Sequence, residues 1–293
     1  MAHPLVTGID GSDESLAAVD WAVDEAARLG LRLRLVHASC WERYERAVPS
    51  HGLSRPPEHV IVENLVACAA ERAARRNPDV KVTTEIVTDD PVDALLREAD
   101  NAFAVVTGVR GRGELTSLLL GSVSLTVAAW ARCPVIVVRG HKAGLAPSHE
   151  RILLGAGEPA TGAEAVRFAF NEAEARGCAL DVVRAWRRPR HESPDGSALA
   201  DEPAHRYEGQ ASEVVDALLR HAVADHRGVQ VRRVTVEGPA HSVLVRRSAA
   251  ADLVIVGARR RHGHLGLQLG RVSHTLLHHA DCPVAVVPHT VSD

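Results

Sequence analysis

At 293 residues, 46 % of them hydrophobic and 24 % charged, the chain has globular composition and is long enough for about two domains. Aromatic residues are only 3 %, so the core has to be built from Ala, Val and Leu. The net charge of -3 excludes an overall basic footprint of the kind nucleic-acid binders carry, although Arg259, Arg260 and Arg261 are consecutive.

In chain order, PLVTGI (4–9) is a short apolar strand. DESLAAVDWAVDEAARLG (13–30) then has apolar residues at helical spacing, and Gly30 stops it. LRLRLVHA (31–38) alternates like a strand. A loop with Pro49, Pro56 and Pro57 follows, then a helix through HVIVENLVACAAERAARR (59–76). VKVTTEIV (80–87) is strand-like, PVDALLREA (91–99) a short helix opened by Pro91, and FAVVTG (103–108) a buried strand. SVSLTVAAWAR (122–132) is helical and PVIVV (134–138) is the last strand of this set.

The set then repeats. RCPVIVVRG (132–140) returns as DCPVAVVPH (281–289), and Gly257 and Gly270 each stand 149 positions after Gly108 and Gly121. Near the start, Gly155 stands 147 positions after Gly8. The polar, Gly- and Pro-containing stretch GHKAGLAPSHE (140–150) separates the copies, which predicts domains over 1–143 and 150–293. Five strands alternating with four helices in each copy predict an α/β fold of two tandem doubly wound parallel five-stranded sheets. In that architecture ligands bind at the carboxyl ends of the strands, at the topological switch point.

The stretch GVRGRGELTSLLLGSVS (108–124) leaves the carboxyl end of a predicted strand and enters a helix. Its glycines match neither Walker A nor dinucleotide spacing, and no lysine follows. Gly108, Gly111 and Gly113 permit backbone angles and approaches closed to residues with a Cβ, and such turns can aim successive N–H groups at an anion. Gly121 and Ser122 stand where the next helix begins, and a helix N-terminus favours phosphate. On physics alone, a plain strand-to-helix turn with glycines for tight packing explains the loop equally well.

The run Gly108-x2-Gly111-x9-Gly121-Ser122 is similar to the G-2x-G-9x-G-(S/T) ATP-binding motif of the universal stress protein family. VTGIDGSDES (6–15), DDPVDALL (89–96) and CPVIVV (133–138) resemble the family's other landmarks, in order and at suitable spacing. The resemblance covers nearly all of both halves and implies flavodoxin- or Rossmann-like domains. It implies ATP, with Mg2+, as the ligand of the first half. Asp10 would then meet the adenosine, backbone groups around Val36, His37 and Ala38 the adenine edge, and Gly108, Arg110, Gly111, Gly121, Ser122, Val123 and Ser124 the phosphates. The role implied is regulatory, a stress response exercised through nucleotide-dependent contacts with protein partners. The apolar last strands resemble the edges through which such domains pair, and further pairing into a homodimer is left open.

The second half departs from the motif. Arg260 replaces the second glycine, Arg271 stands where Ser122 stood, and Gly157 occupies the Asp10 position with Glu158 next. ATP binding should be weakened there. A structural partner is the plainer reading, and a different anionic ligand is the alternative, since arginine pairs readily with phosphate.

Other patterns lead less far. DGSDES (10–15) lacks the second glycine of the SGGxDS loop of ATP pyrophosphatases, which it only faintly resembles. His274 and His278 stand four apart on a predicted helix beside His279, with His262 and His264 before it, but no carboxylate or cysteine is evidently convergent with them. They read as surface or interface residues. Asp10, Asp90 and Glu114 could carry magnesium, yet no Ser/His/Asp grouping supports catalysis, and slow ATP hydrolysis is the most that is expected. Arg72, Arg75 and Arg76 close a predicted helix, where positive charge suits the dipole. The loop 39–57, with Trp41 and Tyr44, is a candidate cover for the nucleotide or a partner contact.

The five cysteines are odd in number, widely spaced and without a CxxC, so neither a disulfide framework nor a zinc ribbon is expected. MAHPLVTGIDGS has no signal-peptide pattern, and the uncharged run 115–131 is interrupted by polar residues. No contact with membrane or nucleic acid is expected, and a cytoplasmic location is. The alternatives left open are an ATP-using enzyme and an interaction module that binds no nucleotide.

Overall fold

The computed structural model describes residues 2–39, 58–109, 121–139, 148–188, 201–258 and 269–289. The chain divides into two compact units, Met1–Arg139 and Gly140–Asp293. In the first, β1 (Leu5–Gly8), α1 (Asp13–Leu29), β2 (Leu33–Ala38), α2 (Glu58–Arg76), β3 (Val82–Val87), α3 (Pro91–Ala99), β4 (Ala104–Gly108), α4 (Ser122–Trp130) and β5 (Val135–Val138) follow one another. The strands are all parallel, in the order β3-β2-β1-β4-β5. The second unit repeats this with β6 (Arg151–Gly155), α5 (Pro159–Arg176), β7 (Ala179–Trp186), α6 (Asp201–Asp225), β8 (Val231–Glu237), α7 (Ala240–Ser248), β9 (Leu253–Ala258), α8 (Arg271–His279) and β10 (Val284–Pro288). Its parallel order is β8-β7-β6-β9-β10. The doubly wound sheets expected from the strand–helix rhythm are present in both copies.

Local chemistry accounts for the elements. In α1 the side chain of Ser12 caps the N-terminus by accepting from the Ser15 N–H at 3.2 Å. Asp13 and Glu14 complement the dipole there, and Gly30, at φ 64°, closes the other end. Its buried stripe, Ala18, Val19, Ala22, Val23 and Ala26, recurs at helical spacing and lies against the sheet. Strands β4 and β5 are buried throughout, as expected for parallel strands covered on both faces, whereas β3 exposes Thr83, Thr84 and Glu85.

Two charged features were not expected. Glu25 and Glu172, at matching positions of α1 and α5, are fully buried. Each pairs with an arginine of its own helix, Glu25 with Arg28 and Glu172 with Arg176. On α2, Arg72 reaches Asp20 of α1 with bonds of 2.7 and 2.6 Å, and Arg76 reaches Asp24 with bonds of 2.6 and 2.5 Å. These bonds raise both guanidinium pKa values, so the two arginines join helices, and Arg76, in the last turn of α2, also meets the dipole.

Burial also separates the thiols. Desolvation pushes Cys133 up to about 12, while Cys68 is exposed. Brief treatment of the native protein with iodoacetamide at about pH 8 should therefore alkylate Cys68 and leave Cys133 intact. Peptide mass spectrometry showing Cys133 modified as fast as Cys68 would contradict the burial.

Candidate functional site

In the first unit β1 and β4 are neighbours whose connections leave to opposite sides, which makes their carboxyl ends the switch point of the sheet. Asp10 follows β1 there. Its Oδ1 accepts from the Ser12 N–H at 3.0 Å and the Ser12 hydroxyl at 2.6 Å, across a turn that Gly11 makes at φ 77°. The carboxylate is thus fixed beside the N-terminus of α1.

Val36 is 1 % exposed, and its carbonyl accepts from Ile9 N–H at 2.9 Å, so its side chain belongs to the core. His37 is also buried, its Nδ1 donating to the Ile9 carbonyl at 2.8 Å and tying β2 to the Asp10 turn. Ala38, partly exposed, is the last residue of β2.

Gly108 ends β4 against the first turn of α1. A Cβ there would come within 2.6 Å of the Glu14 carbonyl oxygen and 3.0 Å of Ser15 N, so this position requires glycine for packing alone. Two bonds close the base of the following loop. Gly121 N–H donates to the Val109 carbonyl at 2.8 Å, and the hydroxyl of Ser124, 5 % exposed, donates to the Gly108 carbonyl at 2.8 Å. Gly121 is the N-cap of α4 and makes no side-chain cap bond, while Ser122 is exposed and Val123 half-buried. The first-turn N–H groups of α4 therefore begin beside the switch point without a capping side chain.

Arg110, Gly111 and Glu114, like Trp41 and Tyr44, lie outside the described residues. Asp90 caps α3, accepting from Val92 N–H at 2.8 Å. His274 and His278 have ring centroids 4.5 Å apart; His262 and His264 are outside the described residues. Among the described residues no group of three or more His, Cys, Asp or Glu is arranged to hold a metal.

The matching place in the second unit is a cavity of about 320 Å³ at the carboxyl ends of β6, β7 and β9, bordered by the N-terminal turns of α5 and α8. The strand register pairs Gly8 with Val36 and Gly155 with Val183, which sets Arg184 where His37 stands. Arg184 donates to the Ala156 carbonyl at 3.1 Å, as His37 does to Ile9, and its other arm reaches Glu158 at 2.6 Å. Sequence reasoning did not single out Arg184; carrying the 147-residue offset from Gly8 through to His37 finds it. Arg259, Arg260 and Arg261 lie outside the described residues.

Comparison with known proteins agrees with this architecture. A profile of the Universal stress protein family matches residues 1–139 and again 149–288. Universal stress protein Rv2005c of Mycobacterium tuberculosis is 35 % identical over 298 residues, covering 97 % of this chain and 96 % of its own. Universal stress protein Rv2623 of the same organism is 29 % identical, covering 98 % and 97 %. A crystal structure of a universal stress protein from Archaeoglobus fulgidus shares the fold, with TM-score 0.63 at 18 % identity over 98 % of each chain. Among the described residues no helix is long and apolar enough to cross a membrane. Two matches of one family domain, a relative of the same length and the same sheet order in both units make this chain a tandem member of the universal stress protein family.

Proposed function

We propose that the first unit binds ATP, with Mg2+, and that the protein works as a nucleotide-dependent regulator of other proteins rather than as a metabolic enzyme. The observation that carries this reading is the N-terminus of α4, which begins at Gly121 without a side-chain cap beside the carboxyl ends of β1 and β4. An anion placed there meets N–H groups and the positive end of the helix dipole. Asp10, anchored on Ser12 at the end of the adjacent strand, supplies an acceptor for a sugar hydroxyl. The phosphates would take the Gly108, Arg110, Gly111, Gly121, Ser122, Val123 and Ser124 segment, and the base would lie by Val36, His37 and Ala38. Four charge-assisted hydrogen bonds of roughly 1.5–3 kcal/mol each suffice for micromolar affinity, about -8 kcal/mol.

Calorimetric titration of ATP and magnesium tests the reading. Asp10→Ala and Gly121→Ala should each weaken ATP by at least about tenfold, the loss of one such bond. Unchanged affinity in both would overturn it. Acid release of nucleotide from the purified protein should yield about one adenine nucleotide per chain, the stoichiometry of one intact site. ADP as the only product would favour a slow ATPase.

A further inference from the structure

We propose that the cavity of the second unit is a separate binding site for a small organic anion, a phosphate monoester or carboxylate with an apolar body, and not a second ATP site. The two units differ at this place in charge, in capping and in spacing, and all three differences favour such a ligand.

Charge changes first. Where the first unit has Asp10, and Asp13 and Glu14 in the first turn of α1, the second has Gly157 and no acidic residue in the first turn of α5. Glu158, the N-cap, makes no side-chain cap bond, and its carboxylate is engaged by Arg184. Only two bonds of the Arg184 guanidinium to the described residues are made, so donors of its five remain for a ligand. Arg271, at the first position of α8, adds a second cation to the cavity wall. Among the described residues two guanidinium groups thus stand against one carboxylate, where the first unit presents Asp10, Asp13 and Glu14.

The loop base is open as well. The first unit closes it with the Gly121–Val109 and Ser124–Gly108 bonds, both 2.8 Å. Among the described residues Gly270 and Ser273, their counterparts, make neither bond. Ser273 is 2 % exposed and lines the cavity. Like α4, α8 has no side-chain cap, but here α5 lacks one too, so two helix N-termini border one cavity.

Spacing gives the ligand its room. A Cβ on Gly257 would stand 3.5 Å from the Thr161 carbonyl oxygen, whereas on Gly108 it would stand 2.6 Å from that of Glu14, the matching residue. The helix is set back from the strand, and the inner wall is formed by Ala165, Leu218, Ala240 and Leu244. At about 320 Å³ the cavity is at the small end of ligand sites, and it joins that apolar wall to a cationic rim.

Phenyl phosphate and benzoate are the probes, titrated calorimetrically into the full-length protein, with phenol, inorganic phosphate and ATP as comparisons. At least one of the two probes should bind at one site per chain with a dissociation constant below about 1 mM, and which of them does separates phosphate from carboxylate. Phenol and inorganic phosphate should each bind at least tenfold more weakly, about one charge-assisted bond. Gly157→Asp places a carboxylate where the Cβ meets open space and should weaken the probe at least about tenfold without loss of fold. Arg184→Met should do the same, and Asp10→Ala should not. No saturable binding of either probe up to about 10 mM, equal binding of phenol, unaltered binding to both variants, or one-for-one displacement by ATP would each overturn the proposal. Failure of the first-unit reading shows separately, as ATP affinity insensitive to Asp10→Ala.

Discussion

Replacing Arg176 by alanine is expected to lower the stability of the second unit by about 3–5 kcal/mol, among the largest effects of any single substitution in this chain. Glu172 is fully buried, and the Arg176 guanidinium, whose side chain is 9 % exposed, meets its carboxylate at 2.9 Å one turn along α5. Taking away that cation leaves a carboxylate charge in a fully buried position. Replacing both residues by leucine should cost much less, because no charge is then stranded. Urea unfolding followed by circular dichroism measures both. A loss below about 1 kcal/mol for Arg176→Ala would show that the pair is solvated like a surface bridge. In the first unit the same glutamate position uses Arg28, three residues on instead of four, and Arg28 is 23 % exposed. Arg28→Ala should accordingly cost less than Arg176→Ala.

Gly108→Ala should destabilise the first unit by about 1–3 kcal/mol, whereas Gly257→Ala should change the second by less than about 0.5 kcal/mol. The added methyl at 108 meets backbone atoms of Glu14 and Ser15, which move only if α1 shifts away from β4. At 257 the nearest atom is at ordinary contact distance, 3.5 Å. Thermal unfolding of the two variants decides this, and equal effects would mean that the two helix–strand gaps are alike. The comparison bears on function, because a glycine of a nucleotide motif is here demanded by packing before any ligand arrives. Loss of ATP in Gly108→Ala would therefore not by itself assign the residue to phosphate binding, which is why Gly121→Ala and Asp10→Ala are the better tests.

Much of the fold was legible along the chain. The apolar strand runs, the helical spacing of Ala18, Val19, Ala22, Val23 and Ala26, the stop at Gly30, and the recurrence of Gly108 and Gly121 at 257 and 270 all depend on residues near one another. These patterns, with the parallel βα rhythm, determined two copies of one doubly wound domain and pointed to the ends of β1 and β4 as the place for a ligand. The pairing of Arg72 and Arg76 with Asp20 and Asp24 was not legible, since it joins residues 52 positions apart. Nor were Glu25 and Glu172, whose burial follows from which face of each helix meets the sheet.

What the tertiary structure decided is the character of each site. The first unit closes its loop base with Ser124 and presses α1 against Gly108, while the second sets α5 back and brings Arg184 to Glu158. Periodicity and turn chemistry are local properties, so the sequence by itself determines the elements and their order. The width of a strand–helix gap and the partners of a buried hydroxyl are sums over atoms far apart in the chain, and only the folded arrangement brings those atoms within the few ångströms at which they act.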